Sequence, residues 1–556
     1  MPDPDARVHS RRYWILAVLC VSLTLVGMAI TILNVAIPDL IRELDADASD
    51  LQWIFASYSI VFAGLVVTGG AVGDRFGRKR VLDVGLVVFG IASALGALSG
   101  SPGLLIAARA GMGIGAAMLM PGTLSIITSV FPPEERTKAI GIWSGVGGLG
   151  FIIGPPIGGI LLTHFWWGSV LLVNIPVVVV ALIAGASLVP ESRDPARTPL
   201  DLGGAALSTL GISALVFAFI EAPSSGWTGV PVFVGVATAA VAFATFIRWE
   251  LRHEHPMLDV RLFRQSTFTG PALVIAFGFF VTWGLLFLLP QFLQLVEGRS
   301  ALWVGMVLSV ISITWCVSAT TIPVVVRRVG ERPVMAAGVL VTAAGVACFV
   351  LIDTTVSTFW VIVGLSVVGL GMGSATTPAT SMLVSELPPE KAGVGSAMND
   401  VTREFGTAFG VAVLGTLLAF RYSARLLDAT AGLSDADADA ARNNVADALD
   451  VADRVGGTTG ERLVDAARSA FTSGLTLAVV VSVVLLLLVT TTVLAWLPHA
   501  RGAHHHHRWS SPIGRPPARS LTQPASAVSA PPLRADTGPG RDHRPRAAPS
   551  ESPPPA

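Results

Sequence analysis

Charged side chains are scarce in this sequence. Asp, Glu, Lys and Arg make up 13% of the 556 residues, whereas soluble domains carry roughly 25%. The formal net charge is zero, and only three of the 37 basic residues are lysine. So few charges cannot cover a protein surface in water, and the balanced charge gives no indication of a nucleic-acid partner.

Cysteine is scarce as well. Cys20, Cys316 and Cys348 stand singly in apolar runs, without the spacing of a metal site or a disulfide framework. The sequence also lacks a Gly-rich phosphate-binding loop and a clustered set of His, Cys and carboxylate side chains. We therefore expect neither an enzyme nor an ATP-driven pump, and we expect no cofactor and no metal.

Long apolar runs are abundant. Hydrophobic residues make up 52% of the chain and the mean hydropathy is +0.68. A helix needs about 20 apolar residues to cross a bilayer, and fourteen such runs are present, the last two at 394–420 and 475–497. The sequence therefore predicts an all-α polytopic membrane protein with 14 spans.

The short loops between these runs differ in charge. Those on the side of the N-terminus hold clusters such as Arg75–Arg80 and Arg327–Arg328, whereas the opposite short loops hold only Arg42 and Arg299. The positive-inside rule places the basic side, with both termini, in the cytoplasm. We expect a multi-pass protein of the plasma membrane, with the bilayer as its surroundings.

An internal repeat divides the chain. The segment "MPGTLSIITSVFPPEERTKAIG" (120–141) is echoed by "TPATSMLVSELPPEKAGVG" (377–395), which predicts two six-helix halves and two inserted helices. The predicted parts are a cytoplasmic N-terminus (1–13), a six-span half (14–189), two inserted spans with a cytoplasmic linker (190–267), a second six-span half (268–497) with a large extracytoplasmic loop (421–470), and a disordered cytoplasmic tail (498–556).

The loop "GAVGDRFGRKR" (70–80) resembles the G-x-L-x-D-R-x-G-R-[KR] loop of the major facilitator superfamily. Glycine permits a tight turn between helix ends, and an aspartate accepts hydrogen bonds from Arg or Lys. The resemblance implies a conformational latch on the inner face, formed by Gly70, Asp74, Arg75, Gly77, Arg78 and Lys79. The alternative is a loop that only sets the topology.

Span 5 carries "GLGFIIGPPIGGIL" (148–161), which is similar to the G-x-x-x-G-P-x-x-G-G signature of the antiporter branch. Small residues let helices approach closely, although such a stripe also serves ordinary packing. The residues that match the antiporter motif are Gly150, Gly154, Pro155, Gly158 and Gly159.

Further segments, such as "ITILNVAIPDL" (30–40) and "GSAMNDVTREFGTAFGVAVLGTLL" (395–418), look like those of the fourteen-span drug:proton antiporters, the multidrug and antiseptic efflux branch of this superfamily. The resemblance covers roughly residues 14–497. It implies a secondary active transporter that exports small amphipathic compounds (drugs, antiseptics, antibiotics) by alternating access, driven by protons, and that works as a monomer.

Arg109, Asp400 and Glu404 lie in the interior of predicted spans, where charge is costly and usually functional. Arg109 begins "RAGMGIGAA", which resembles the R-x-x-Q-G-x-G-A-A motif to which the family assigns proton coupling. Span 1 has Ala29 where relatives often carry an aspartate, so we expect Asp400 and Glu404, four apart on one helix face, to take over coupling. The alternative is that Arg403 pairs locally with Asp400 in a structural cluster.

Polar and aromatic residues inside or bordering the spans are candidates for a substrate path. Alternatively, the aromatic residues face lipid or pack between helices. The candidates are Asn34, Trp283, Gln291, Gln294, Trp315 and Asn399.

Two other functions remain open at this point. The same architecture serves a dedicated exporter of an endogenous metabolite, antibiotic, siderophore or lipid. A membrane scaffold or a membrane-embedded enzyme is the other alternative, but a scaffold has no need for buried Arg109, Asp400 and Glu404.

The charge asymmetry leads to a prediction about topology. We expect a reporter fused after residue 450 to be active outside the cell and one fused after residue 520 to be active in the cytoplasm, because span 14 lies between them. Reporter enzymes specific for each compartment check this. Activity of both fusions on the same side would remove a span and contradict the two-half alignment.

Overall fold

The computed structural model describes residues 4–193, 201–253, 258, 260–351, 358–385 and 392–497, and these residues form helices without a β-strand. The tail at 498–556 lies outside the described residues. The α-helices, in chain order, are α1 (Pro4–Thr31), α2 (Ile37–Leu44), α3 (Ala48–Phe76), α4 (Arg78–Ala97), α5 (Pro102–Val130), α6 (Pro133–His164), α7 (Ser169–Leu172), α8 (Asn174–Leu188), α9 (Leu202–Ser225), α10 (Val230–Glu250), α11 (Ser266–Gln291), α12 (Ala301–Val329), α13 (Glu331–Ala347), α14 (Thr358–Ser385), α15 (Ala392–Leu426), α16 (Asp435–Asn443), α17 (Val445–Val455) and α18 (Gly457–Trp496).

Fourteen helical segments among the described residues are long and apolar enough to cross a membrane, which confirms the predicted number. The first span is α1 continued by α2. These two are joined by a 3₁₀ turn over Ile32–Ala36, directly before Pro38. Proline has no N–H to donate and its ring crowds the preceding turn, so the local change of helix type has a direct cause.

The spans form two sets of six. The first set lies within α1–α8 and the second within α11–α18, and the spans α9 and α10 lie between them in the chain. Because successive spans reverse direction, α1, α6 and α15 start on one side, which we call the N-terminal side. The opposite side is called the far side.

The two sets meet along two seams, α3 with α15 and α6 with α12. The hydrogen bonds that join the sets in the described part of the chain lie at mid-depth or toward the far side. Gln294 donates to the Val35 carbonyl at 3.0 Å, and Thr416 to Gln52 at 3.4 Å. The molecule is therefore closed on the far side.

Span 5 packs against span 1 through the glycines of the antiporter motif. A Cβ at Gly150 or Gly154 would clash with Thr24 or Thr31 of α1, and one at Gly158 would lie 2.9 Å from the Ile32 oxygen. Since only glycine leaves room for this approach, the motif brings two backbones together. The helix runs continuously through Pro155 and Pro156.

The helices around the large far-side loop are longer than the apolar runs. α15 continues to Leu426 and α18 begins at Gly457, whereas the runs end at 420 and begin at 475. Hydropathy marks only the apolar part, but Ala, Arg and Glu favour helix beyond it. Between them lie α16 and α17, and the Tyr422 hydroxyl donates to the carbonyls of Ala441 and Asn444, at 3.0 and 3.1 Å.

Candidate functional site

The centre of the candidate site is Arg109 on α5, which is 2% exposed. Its Nε donates to the Ile54 carbonyl of α3 and its Nη1 to the Ala29 carbonyl of α1, both at 3.2 Å. A buried guanidinium is costly without acceptors. These two carbonyls hold the cation where three helices of the first half meet.

Tyr58 on α3 supplies the third contact. The Arg109 guanidinium carbon lies 4.6 Å from the centre of the Tyr58 ring, within the range of a cation–π interaction. The phenolic oxygen is buried and has no hydrogen-bond partner within the part of the chain that the structure describes. No charge or motif in the sequence marks Tyr58 as part of the site, although it is one of only three tyrosines and lies inside span 2.

Glu404 on α15 faces this cluster from the second half. It is 9% exposed, and the side chain of Ser59 on α3 lies beside its carboxyl. Its oxygen Oε2 is buried without a partner among the described residues. Arg109 and Tyr58 lie within electrostatic range of the carboxyl. The structure thus brings Glu404 and Arg109 together across the two halves, without a direct ion pair.

Asp400 lies one helical turn before Glu404 and is 8% exposed. Its Oδ1 is 3.7 Å from Nη1 of Arg403, whose guanidinium lies 4.7 Å from the Phe279 ring centre. The preceding residue, Asn399, accepts a hydrogen bond from Thr380 at 2.9 Å. Asp400 therefore has the local partner that the structural alternative requires, whereas Glu404 retains an unpaired oxygen.

The candidate path residues fall into two groups. Trp315 packs on Phe279 with ring centres 5.4 Å apart, and therefore lies near the acids. Trp283 packs on Phe151 of α6 at 5.9 Å, and therefore lies beside the α6–α12 seam.

The second group lies toward the far side. The Gln291 amide donates to the Phe287 carbonyl of its own helix at 2.9 Å, whereas that of Gln294 bonds to Val35 across the halves. Asn34 is buried in the 3₁₀ turn beside Val35. These three residues therefore lie at the far-side closure and not beside the acids.

The latch residues lie where α3 turns into α4. Gly77 has φ +120°, which L side chains rarely adopt, so this turn requires glycine. Arg78 Nε donates to Asp74 Oδ1 at 2.8 Å, and the Arg78 guanidinium also reaches the Ser125 carbonyl of α5. Gly70 packs against Pro121 of α5.

The neighbouring cations of this loop have separate contacts. Lys79 Nζ is 2.6 Å from Asp83 Oδ2, and the Arg75 guanidinium lies over the Phe76 ring. Glu191, after α8, accepts from the Lys79 backbone N–H at 3.2 Å and lies 3.5 Å from Arg80. The sequence does not mark Glu191 as part of the latch, because the residues it contacts, Lys79 and Arg80, lie more than a hundred positions earlier in the chain.

Three comparisons with known proteins agree with the fold. The chain matches the family model of the Major Facilitator Superfamily over residues 19–411. It is 34% identical over 477 residues to the multidrug efflux pump LfrA of Mycolicibacterium smegmatis, covering 86% of this chain and 94% of that one.

It is also 34% identical over 463 residues to the methyl viologen resistance protein SmvA of Salmonella typhimurium, covering 83% and 93% of the two chains. A solved bacterial homologue of the human lysosomal transporter Spinster, inward-facing and occupied, has a TM-score of 0.59 at 20% identity, over 87% of this chain and 96% of that one. At that identity the likeness concerns the fold.

The contacts of Arg109 generate a stability prediction. We expect Tyr58→Leu to lower the free energy of unfolding by about 1–2 kcal/mol, because the desolvated cation–π contact is lost. Tyr58→Phe is the matched control: it keeps the ring and removes only a hydroxyl without a partner. Thermal unfolding of the purified protein in detergent compares the variants. Equal stability of Tyr58→Leu and Tyr58→Phe would show that the ring does not stabilise Arg109.

Proposed function

The chain belongs to the Major Facilitator Superfamily, and we propose that it exports small amphipathic compounds, including drugs, in exchange for protons. The observation that carries this proposal is Glu404: an acid buried at the seam between the halves, with one oxygen that has no hydrogen-bond partner among the described residues. The relatives of this chain, LfrA and SmvA, are named for multidrug efflux and methyl viologen resistance. These names support export as the direction of transport and drugs as the class of substrate.

Glu404 supplies the charge change that such an exchange requires. An ionised carboxylate between two halves resists burial, whereas the protonated carboxyl is neutral and crosses low-dielectric surroundings at lower cost. In the proposed cycle, substrate binds while Glu404 is ionised, and its release on the far side accompanies proton uptake. The protonated site then returns to the N-terminal side and releases the proton.

Arg109 is suited to stabilise the ionised carboxylate of Glu404 without preventing its protonation. Its donors are directed to the Ile54 and Ala29 carbonyls, and its face to Tyr58. A direct ion pair with Glu404 would hold the carboxylate charged, whereas a cation fixed nearby lowers the cost of ionisation and leaves the proton exchangeable. Asp400, already beside Arg403, has a secondary role.

We further propose a plasma-membrane location with the N-terminal side, and both termini, in the cytoplasm. The basic loop Arg75–Arg80 lies on this side, as the positive-inside rule requires. The far-side closure then means that the structure has its site directed to the cytoplasm. The protein acts as a monomer. The proton gradient drives transport, and no cofactor is needed.

The latch residues link helix ends that have to move together in this cycle. The Asp74–Arg78 pair joins α3 to α4, and the contact of Arg78 with Ser125 adds α5. We propose that this set keeps the three helix ends as one unit while the halves reorient, and that the span 5 glycines keep α6 attached to α1.

The first test concerns the acids. We expect Glu404→Gln to lower pH-gradient-driven efflux of diheptyl viologen, an amphipathic cation, from proteoliposomes at least about tenfold, because the amide cannot exchange a proton and a hydrogen bond to a charged group contributes roughly 1.5–3 kcal/mol. Asp400→Asn is expected to lower it less. Glu221→Gln, on the inserted helix α9, is the control. Uphill transport at the wild-type rate by a folded Asp400→Asn, Glu404→Gln double variant would refute this coupling site.

The second test concerns the latch. We expect Asp74→Asn to slow efflux about tenfold with unchanged amounts in the membrane, since a charged hydrogen bond contributes roughly 1.5–3 kcal/mol. Asp83→Asn is a matched control, because it removes the same charge from the adjacent i,i+4 pair with Lys79. Initial efflux rates per folded protein distinguish them. If both variants slow efflux equally, the loop acts only through its net charge.

A further inference from the structure

Two arginines lie on α15 just beyond the apolar part of the helix. The apolar run ends at residue 420, and Arg421 and Arg425 follow it four residues apart, on one face of the helix. On α18, which runs in the opposite direction, the apolar run begins at residue 475. Because the hydrocarbon core covers only the apolar runs, both arginines lie at the level of the lipid headgroups on the far side.

Helices α15 and α18 are in close contact at this level. A Cβ on Gly474 of α18 would lie 2.9 Å from the Leu418 oxygen of α15. Beside this contact, Nε of Arg421 donates to Oγ of Ser473 at 3.1 Å. The bond fixes the guanidinium over the junction of the two helices, and its two Nη atoms have no partner among the described residues.

The positive charge of this pair is not neutralised by the protein. Arg442 and Arg454, on the neighbouring helices α16 and α17, form ion pairs with aspartates. No ion pair in the part of the chain that the structure describes involves Arg421 or Arg425, and Arg425 is exposed. A guanidinium in this situation suits a phosphate, to which it can donate two parallel hydrogen bonds.

The surface of α18 directly below Arg421 faces lipid. Val480 and Val484 follow Ser473 by seven and eleven residues, which is two and three helical turns, so they share its face. They are 43% and 51% exposed, and Leu488, one turn deeper, is 57% exposed. A lipid whose acyl chains cover this apolar face therefore has its headgroup beside Arg421.

We infer that Arg421 and Arg425 form a binding site for the phosphate of an anionic phospholipid in the leaflet of the far side. In a zwitterionic lipid an ammonium group compensates the phosphate, whereas an anionic lipid keeps the negative charge that complements two cations. A free phosphate ion offers the same headgroup contacts but leaves the apolar face of α18 uncovered. The site is separate from Arg109 and Glu404 and does not depend on the proposed export.

Quenching of a fluorophore by brominated lipid measures which lipid lies beside α18. Bimane is attached at Val480→Cys in a background with Cys20→Ser, Cys316→Ser and Cys348→Ser. The vesicles contain phosphatidylcholine and phosphatidylglycerol, and one of the two is brominated at a time. We expect phosphatidylglycerol beside residue 480 to exceed its fraction in the vesicle at least about threefold, since each arginine near the surface attracts anionic lipid.

Three variants locate the origin of this enrichment. The Arg421→Gln, Arg425→Gln double variant is expected to abolish it. Arg462→Gln is the matched control, because Arg462 shares the face of Ser473 but lies eleven residues, or about 16 Å, farther out, and we expect no effect. Bimane at Val236→Cys reports an exposed position of α10 near a far-side loop without charge, where no enrichment is expected.

Equal quenching by both lipids at residue 480, or an enrichment that persists in the double variant, would overturn the site. Excess inorganic phosphate is the arm for the free ion. An unchanged enrichment supports the lipid, whereas its loss would show that the arginines take phosphate without acyl chains. The quenching is read without transport, so its outcome is independent of the Glu404 efflux assay.

Discussion

The guanidinium of Arg109, buried among three helices, sets the arrangement of the first half. A cation at this depth is stable only where acceptors are fixed around it. Here they are the carbonyls of Ala29 and Ile54 and the ring of Tyr58, so α1, α3 and α5 must hold a defined register. Once this register is set, Ser59, the residue after Tyr58 on α3, meets Glu404 from the second half. The fixed cation and the titratable acid thus come from different halves, as a coupled movement of the halves requires.

Both seams take part in the closure on the far side. Far-side contacts through Gln294, Thr416 and Ser309 hold the halves together at one end. Within the described residues, the inserted helix α9 packs along α3 and α15, and α10 packs on α9. One of the two seams is therefore covered by an inserted helix, although the residues of the candidate site belong to the two halves.

The sequence predicted the fold well because length and hydropathy decide which segments cross a membrane, and fourteen spans were found where fourteen were expected. It also identified Arg109, Asp400 and Glu404, since a charge in an apolar run is conspicuous. It did not identify Tyr58 or Glu191. Tyr58 carries no charge, and its importance comes from a partner on another helix. Glu191 contacts a loop far away in the chain. Helix ends beyond the apolar runs were also missed, because Leu426 and Gly457 continue helices outside the region that hydropathy detects.

The two backbone carbonyls that accept hydrogen bonds from Arg109 have a consequence for substitutions at positions 29 and 54. Both hydrogen bonds end on main-chain oxygens, which every amino acid possesses, so replacing the side chain at position 29 or 54 does not by itself unpair the cation. Ala29 itself is fully buried, so a larger side chain there has to find room among the packed helices, but it does not remove the carbonyl that holds Arg109. The register of the three helices therefore depends on the course of the backbone at positions 29 and 54 rather than on the identity of these two side chains.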